Sequence, residues 1–73
     1  MITFDLSLYS SQAIKQAISD YQNIAQIRSH QTDTGVECYL EKAKYDLKLT
    51  EMEFSNYVLC LTVSMSEGNN GLC

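Results

Sequence analysis

The spacing of apolar residues changes from alternating to helical within the first third of the chain. Apolar and polar residues alternate from Ile2 to Leu8, which is typical of a half-buried strand. Beyond Ser11 the apolar residues recur every three or four positions, as they do on one face of a helix: Ile14, Ala17, Ile18, Tyr21 and Ala25. A serine hydroxyl can accept a free backbone N–H at a helix start, so Ser10 or Ser11 is expected to cap this helix.

The middle third predicts a hairpin. Residues 24–30 and 36–41 have the composition of strands, and the turn-forming segment 32–35 lies between them. Gly35 is expected to adopt the positive φ that closes such a turn. A further alternating segment, 43–49, follows with its apolar phase shifted by one residue, so a bulge or tight turn is expected near Lys42. The pattern leaves open whether 43–49 continues the preceding strand or forms a fourth one.

The last third predicts a second helix that runs to about residue 66. Thr50 and Glu53 have the spacing of a capping box, in which each side chain accepts the other residue's backbone N–H. On a helical wheel, one narrow sector is expected to face the core and contains Phe54, Tyr57, Val58, Leu61 and Met65.

Together these elements predict one small α+β domain over residues 1–66, in the order β-α-β-β(-β)-α. A single sheet with both helices packed on one face is the natural way to bury both apolar helix faces. The residues expected to face the helices from the sheet side are Phe4, Leu6, Ile27, Cys38, Leu40 and Leu47. Residues 67–73 are polar and contain glycine, so a flexible C-terminal tail is expected.

The second predicted helix has more apolar side chains than one buried face can use. Opposite its core face lie apolar residues at helical spacing, with an amide and a thiol beside them: Met52, Asn56, Leu59, Cys60 and Val63. Two interpretations stay open, because the first helix or the tail through Leu72 can cover this side, or a partner can bind there. We predict that these five residues bind a protein partner or form a homodimer contact.

Charge and composition exclude several classes of function. Nine acidic residues against five basic ones give a net charge of −4, which argues against binding a nucleic-acid backbone. The longest apolar run, Tyr57–Leu61, is too short to span a membrane. The first ten residues lack the basic start and apolar core of a signal peptide. We therefore expect a cytoplasmic protein that binds neither nucleic acid nor membranes.

No motif indicates catalysis. His30 is the only histidine and is expected at the surface, and the chain lacks closely spaced metal ligands and a glycine-rich phosphate loop. We therefore predict no enzyme activity, no cofactor and no metal. A weaker hypothesis is redox chemistry at Cys38, Cys60 or Cys73, which requires an unusually acidic thiol.

Two stretches resemble a known family. The segment "FDLSLYS" leading into "SQAIKQAISDY", together with Ser55-Asn56-Tyr57 in the closing helix, resembles the HxsD-like proteins over about residues 2–63. These are small companions of radical-SAM peptide-modification systems of the His-Xaa-Ser type. The ending "NNGLC" departs from the family pattern.

The resemblance implies a non-catalytic accessory protein that presents a precursor peptide to a radical-SAM maturase. A docked peptide is expected on the second apolar side of the last helix or at an open sheet edge, either Met1–Leu8 or Tyr45–Leu49. The alternative hypothesis is a small acidic inhibitor from a mobile element that blocks a nucleic-acid-binding enzyme. That function requires carboxylates gathered on one face.

Overall fold

The computed structural model describes residues 1–67, with backbone only for residues 66 and 67. Three strands and two helices follow in the order β1 (Ile2–Asp5), α1 (Ser11–Asp20), β2 (Ala25–Gln31), β3 (Gly35–Ala43) and α2 (Leu47–Glu67). The strands form one antiparallel sheet with the order β1-β3-β2. The predicted α+β fold is confirmed. Glu67 still belongs to α2, and the rest of the predicted tail lies outside the described residues.

One face of the sheet is covered by both helices. The register places Phe4 opposite Val36, and both side chains are buried against the helices. The neighbouring positions Thr3 and Glu37 point to the other face, because successive residues of a strand alternate in direction. That face is polar and open to solvent.

Phe54 of α2 lies at the centre of the core. Its ring packs edge-on against Tyr21 at 5.2 Å and against Phe4 at 6.0 Å, measured between ring centroids. The fully or nearly buried apolar residues around it come from every element: Phe4, Ile14, Ala17, Ala25, Val36, Cys38, Leu40 and Val58. Leu6 and Ile27 pack against this cluster and are half-buried.

Ser10 caps α1 and also ties it to α2. Its hydroxyl oxygen accepts the Ala13 N–H at 3.2 Å, which satisfies one of the unpaired donors of the first helical turn. Its own N–H donates to the Thr62 hydroxyl oxygen at 3.1 Å. Of the two serines expected as caps, Ser10 is the one that serves.

A bulge in β3 explains the shifted apolar phase. Gln26 is opposite Lys42, whereas the next residue, Ile27, is opposite Leu40, so Glu41 is the extra residue. The bulge predicted near Lys42 is therefore confirmed. Its consequence is that Leu40 and Ala43, three positions apart, both contribute to the core face.

The second helix begins earlier than predicted, and residues 44–49 form no strand. The Asp46 carboxylate accepts the Leu49 N–H at 3.0 Å, so Asp46 caps a helix that starts at Leu47. Thr50 is instead buried inside the helix, where its hydroxyl donates to the Asp46 carbonyl oxygen at 2.8 Å. The predicted capping box of Thr50 and Glu53 is wrong, because a carboxylate four residues earlier supplies the cap.

This earlier start corrects two further predictions. Leu47 was expected to face the helices from the sheet, but it is the first residue of α2 and is 43% exposed. The segment 45–49 was one of two candidate sheet edges. Since the strand order is β1-β3-β2, the edges are β1, as expected of the N-terminal segment, and β2.

Gly35 closes the hairpin without a positive φ. Its φ lies outside the range from +20° to +160°, so the expected left-handed conformation is wrong. The residue is already the extended first residue of β3, and its carbonyl oxygen accepts the Thr32 N–H at 2.8 Å. A Cβ at this position would lie 2.4 Å from the Phe4 carbonyl oxygen on β1. Glycine is therefore required by a close approach of two backbones.

Candidate protein-interaction surface

The buried face of α2 agrees with the predicted core face except at its end. Phe54 and Val58 are fully buried, and Tyr57 and Leu61 are half-buried. Met65 is 41% exposed, so its assignment to the core is wrong. The reason is its position, since the last turns of α2 lie beside the β1–α1 loop across an open cavity rather than against the core cluster.

The opposite side of α2 exposes the residues predicted to bind a partner. Met52 is 56% exposed, Leu59 is 47% exposed and Val63 is 36% exposed. Asn56 is also exposed, and Cys60 at the margin is half-buried. The structure thus brings all five residues to one side of one helix.

The first helix does not cover this side. It packs along the flank of α2, where the Tyr57 hydroxyl donates to the Asp20 carboxylate and the Ser10 N–H donates to Thr62. The hydrogen bond from Tyr57 to Asp20 raises the pKa of the tyrosine, since it favours the protonated hydroxyl. The interpretation in which α1 buries the second apolar side is wrong. Leu72, the other proposed cover, lies outside the described residues.

Leu49 extends the exposed apolar row by one turn. It is 59% exposed and lies three residues before Met52 and seven before Asn56 on the same side of the helix. Leu49 is absent from the predicted surface because the alternation of apolar residues over 43–49 favours a strand there. The signal for Leu49 is its position three residues before Met52, which continues the helical spacing of the row. We call the row Leu49, Met52, Asn56, Leu59 and Val63 the α2 stripe.

Leaving the α2 stripe in water forgoes stabilisation. Full burial of a large apolar side chain contributes about 1.5–3 kcal/mol. Four such side chains on the stripe are between 36% and 59% exposed, so covering them offers several kcal/mol in all, on the order of 1 kcal/mol each. A contiguous row of this kind is typical of a surface that meets another protein.

The open face of the sheet has a different character, because its charged groups satisfy one another. The Arg28 guanidinium donates to the Glu41 carboxylate at 2.7 Å and lies 4.8 Å from the centre of the Tyr39 ring. The Tyr39 hydroxyl in turn donates to Glu37 at 3.1 Å, which raises the pKa of Tyr39. This face presents solvated polar groups, and the apolar contact surface lies on α2.

Of the groups considered for chemistry, Cys73 lies outside the described residues, and His30 and Cys38 lie on opposite faces of the sheet. His30 is exposed on the open sheet face, while Cys38 is a free thiol buried on the opposite face. Burial raises the pKa of Cys38 to about 11, the reverse of the acidic thiol that redox chemistry requires. Among residues 1–65, no group of three or more histidine, cysteine or carboxylate side chains is placed to hold a metal ion.

A cavity of 360 Å³ opens between the β1–α1 loop and the end of α2. Its described lining consists of apolar, hydroxyl and amide side chains: Leu6, Ser7, Leu8, Tyr9, Ser10, Gln12, Thr62 and Met65. Carboxylate, imidazole and ammonium groups are missing from this part of its wall. Among the side chains that commonly serve as general acids or bases, the described lining offers only the Tyr9 hydroxyl.

We expect Cys38 to resist alkylation in the folded protein. Because burial raises its pKa from 9.0 to about 11, its thiolate fraction at pH 8 falls about a hundredfold. Iodoacetamide labelling followed by peptide mass spectrometry should show Cys38 unmodified in buffer and modified in concentrated urea. Equal labelling rates in the two solvents would contradict its burial.

The same shift predicts loss of stability in alkali. The folded-state pKa of Cys38 lies above the unfolded value, because burial disfavours the thiolate. The contribution of the protonated thiol to the free energy of unfolding is therefore fully present below pH 9.0 and is lost as the pH rises through about 11.

In comparisons with known proteins, no family model, no curated protein and no solved structure matches the chain. The likeness of residues 2–63 to the HxsD-like proteins stays a prediction from short motifs. Within residues 1–67, neither helix is both long enough and apolar enough to cross a membrane.

Proposed function

We propose that the protein is a non-catalytic accessory protein that docks another polypeptide on the α2 stripe. The observation that supports this most directly is a helix of 21 residues with apolar side chains on two opposite sides. One side builds the core around Phe54. The other exposes four large apolar residues at helical spacing, the arrangement by which helices anchor to other polypeptides.

In its narrower form, the proposal places the protein in the cytoplasm as a companion of a radical-SAM peptide-maturation system. The support is the resemblance carried by the N-terminal strand–helix segment and by Ser55-Asn56-Tyr57. The middle residue of that motif, Asn56, lies on the α2 stripe, whereas Tyr57 faces α1 through its bond to Asp20. The edges β1 and β2 offer a second place, where a precursor peptide can add as a strand.

The inhibitor hypothesis has less support than the accessory role. Described carboxylates occur in different elements, with Asp20 at the end of α1, Asp33 in the hairpin turn and Asp46 at the start of α2. Glu41 is paired with Arg28, and Glu51 lies 3.5 Å from the N-terminal ammonium. Because these carboxylates lie on separate elements and two of them are paired with cations, we favour the accessory role.

We expect Leu59→Asp to abolish docking and leave the domain folded. The side chain is 47% exposed, so a carboxylate there remains hydrated in the free protein but is desolvated in a complex. The measurement is photo-crosslinking from a benzophenone side chain at position 52 in extracts of the source cells, with mass-spectrometric identification of the product. The crosslink should disappear in Leu59→Asp.

Asn23→Asp is the matched control, because it adds the same charge at an exposed site between α1 and β2. It should keep the crosslink. Circular dichroism should show a helical content and melting transition close to those of the wild type for both variants. Unfolding of Leu59→Asp, or identical crosslinks in the two variants, would rule out the α2 stripe as the docking surface.

A further inference from the structure

We infer that the polypeptide on the α2 stripe is a second copy of this chain, whose α2 lies parallel to the first. This inference rests on the proposed function and names the partner of that surface. Its first support is spacing, because the stripe residues are separated by three, four, three and four positions. That is the heptad repeat of a coiled coil, with Leu49, Asn56 and Val63 at its a positions and Met52 and Leu59 at its d positions.

The stripe is placed so that a second helix can reach it. At 3.6 residues per turn its centre lies opposite Phe54, on the side of α2 that points away from the core. Residues 49–63 span roughly 21 Å, or two heptads. Two heptads are short for an isolated coiled coil, but α2 is already held helical by its buried face. Association therefore does not bear the cost of forming the helix.

Asn56 determines whether the two α2 helices run parallel or antiparallel. In a parallel, in-register pair, equal a positions face each other, so the two Asn56 amides meet. An amide has both donor and acceptor groups, and it can therefore hydrogen-bond to its own copy. In an antiparallel pair, a positions face d positions, which sets the Asn56 amide against an apolar Met52 or Leu59 side chain and leaves it unpaired. A single asparagine at a central a position is the usual device for fixing the register of parallel dimers.

The charges beside the stripe also match a parallel pair. Lys48 occupies a g position and Glu53 the following e position, and both are exposed. Parallel helices bring each g residue next to the e residue five positions later on the other helix. Lys48 of each copy therefore meets Glu53 of the other, and within the described residues neither belongs to an ion pair in the single chain. The other described e and g positions flanking the stripe, Ser55, Cys60 and Thr62, have no carboxylate or ammonium group to oppose association.

The test is the solution mass of the full chain, measured by sedimentation equilibrium from about 10 to 500 μM, because small interfaces give weak complexes. We expect the wild type to approach twice the 8.3 kDa chain mass, and Leu59→Asp to be a folded monomer. Asn56→Val should tighten the dimer about tenfold, because an apolar a position packs better than an amide.

Exchanging the charges at positions 48 and 53 tests whether the two α2 helices are parallel. Lys48→Glu and Glu53→Lys should each weaken the dimer by roughly three- to tenfold, because each creates like-charge contacts across the interface. The double variant restores both opposite-charge pairs and should recover the wild-type affinity. A double variant no tighter than the single ones would overturn the parallel arrangement.

Other outcomes separate this inference from the proposed function. If the wild type and Asn56→Val are both monomeric throughout, or if a dimer survives Leu59→Asp, the α2 homodimer is wrong. The proposed function still stands if position 52 crosslinks to a different polypeptide and Leu59→Asp removes that product. If position 52 crosslinks to nothing, both fail.

Discussion

Phe54→Ala is expected to remove a large part of the protein's free energy of unfolding. The side chain is fully buried, and its ring contacts Phe4 of β1 and Tyr21 at the end of α1. Truncating such a residue typically costs about 3–5 kcal/mol, because the lost transfer free energy is joined by the cost of the cavity. The total stability of a domain of this length is roughly 4–11 kcal/mol. One substitution therefore removes a large part of the margin.

Urea unfolding followed by circular dichroism checks this prediction. Phe54→Ala should lower the midpoint strongly or show no folded baseline at all. Leu47→Ala is the matched control, since it truncates an apolar residue of the same helix that is 43% exposed and lies outside the α2 stripe. The control should cost less than about 1 kcal/mol. Similar midpoint shifts in the two variants would show that Phe54 is not the centre of the core.

The parts of the fold that depend on local signals could be predicted from the sequence. The presence of strand β1 and helix α1 could be predicted because the change from alternating to helical spacing coincides with Ser10, whose cap is made within three residues. Their ends were wrong: β1 stops at Asp5 rather than Leu8, because the Leu8 N–H turns back to the Asp5 carbonyl oxygen, and Ala25 belongs to β2 rather than to the helix. The bulge was also predictable, since the apolar phase shifts by one residue near Lys42. In these cases the spacing of neighbouring residues contains the information.

The start of α2 could not be predicted because two local signals compete. Thr50 and Glu53 have the spacing of a capping box, and Leu47 and Leu49 continue the alternation of the preceding strand. The structure instead caps the helix at Asp46 and buries Thr50, whose hydroxyl bonds back to the Asp46 carbonyl oxygen. The fold decides between the two caps, because a start at Leu47 places Thr50, four residues before Phe54, on the buried face. That choice depends on packing between elements distant in sequence.

The sequence could show that α2 has more apolar side chains than its buried face uses, but it could not show the complete exposed surface. Met52, Leu59 and Val63 stood out because one buried helix face cannot use them, and the structure leaves all three exposed. Leu49 was missed together with the helix start. Without it the row Met52, Asn56, Leu59 and Val63 lacks its first a position. The boundary error and the incomplete site therefore have the same cause.

Gly35→Ala is expected to destabilise the protein by about 1–3 kcal/mol through overpacking between β1 and β3. The added Cβ would lie 2.4 Å from the Phe4 carbonyl oxygen and 3.5 Å from the Asp5 Cα, so backbone must move to accept it. A small opposing gain comes from the stiffer unfolded chain, about 0.4–1 kcal/mol. The steric cost is larger, because β1 is held on one side by β3 and on the other by the packing of Phe4 in the core.

Amide hydrogen exchange shows which function the glycine serves. If close approach is the reason, Gly35→Ala should lose protection first in β1 and at the Leu6 N–H, which donates to the Thr34 carbonyl oxygen at 2.9 Å. If the turn itself required glycine, protection would be lost first at the Thr32 N–H and along β2. Asp33→Ala, in the same turn, is the control and should change stability by less than about 0.5 kcal/mol. Because β1 supplies Phe4 to the ring cluster around Phe54, a shift of this four-residue strand reaches the centre of the core.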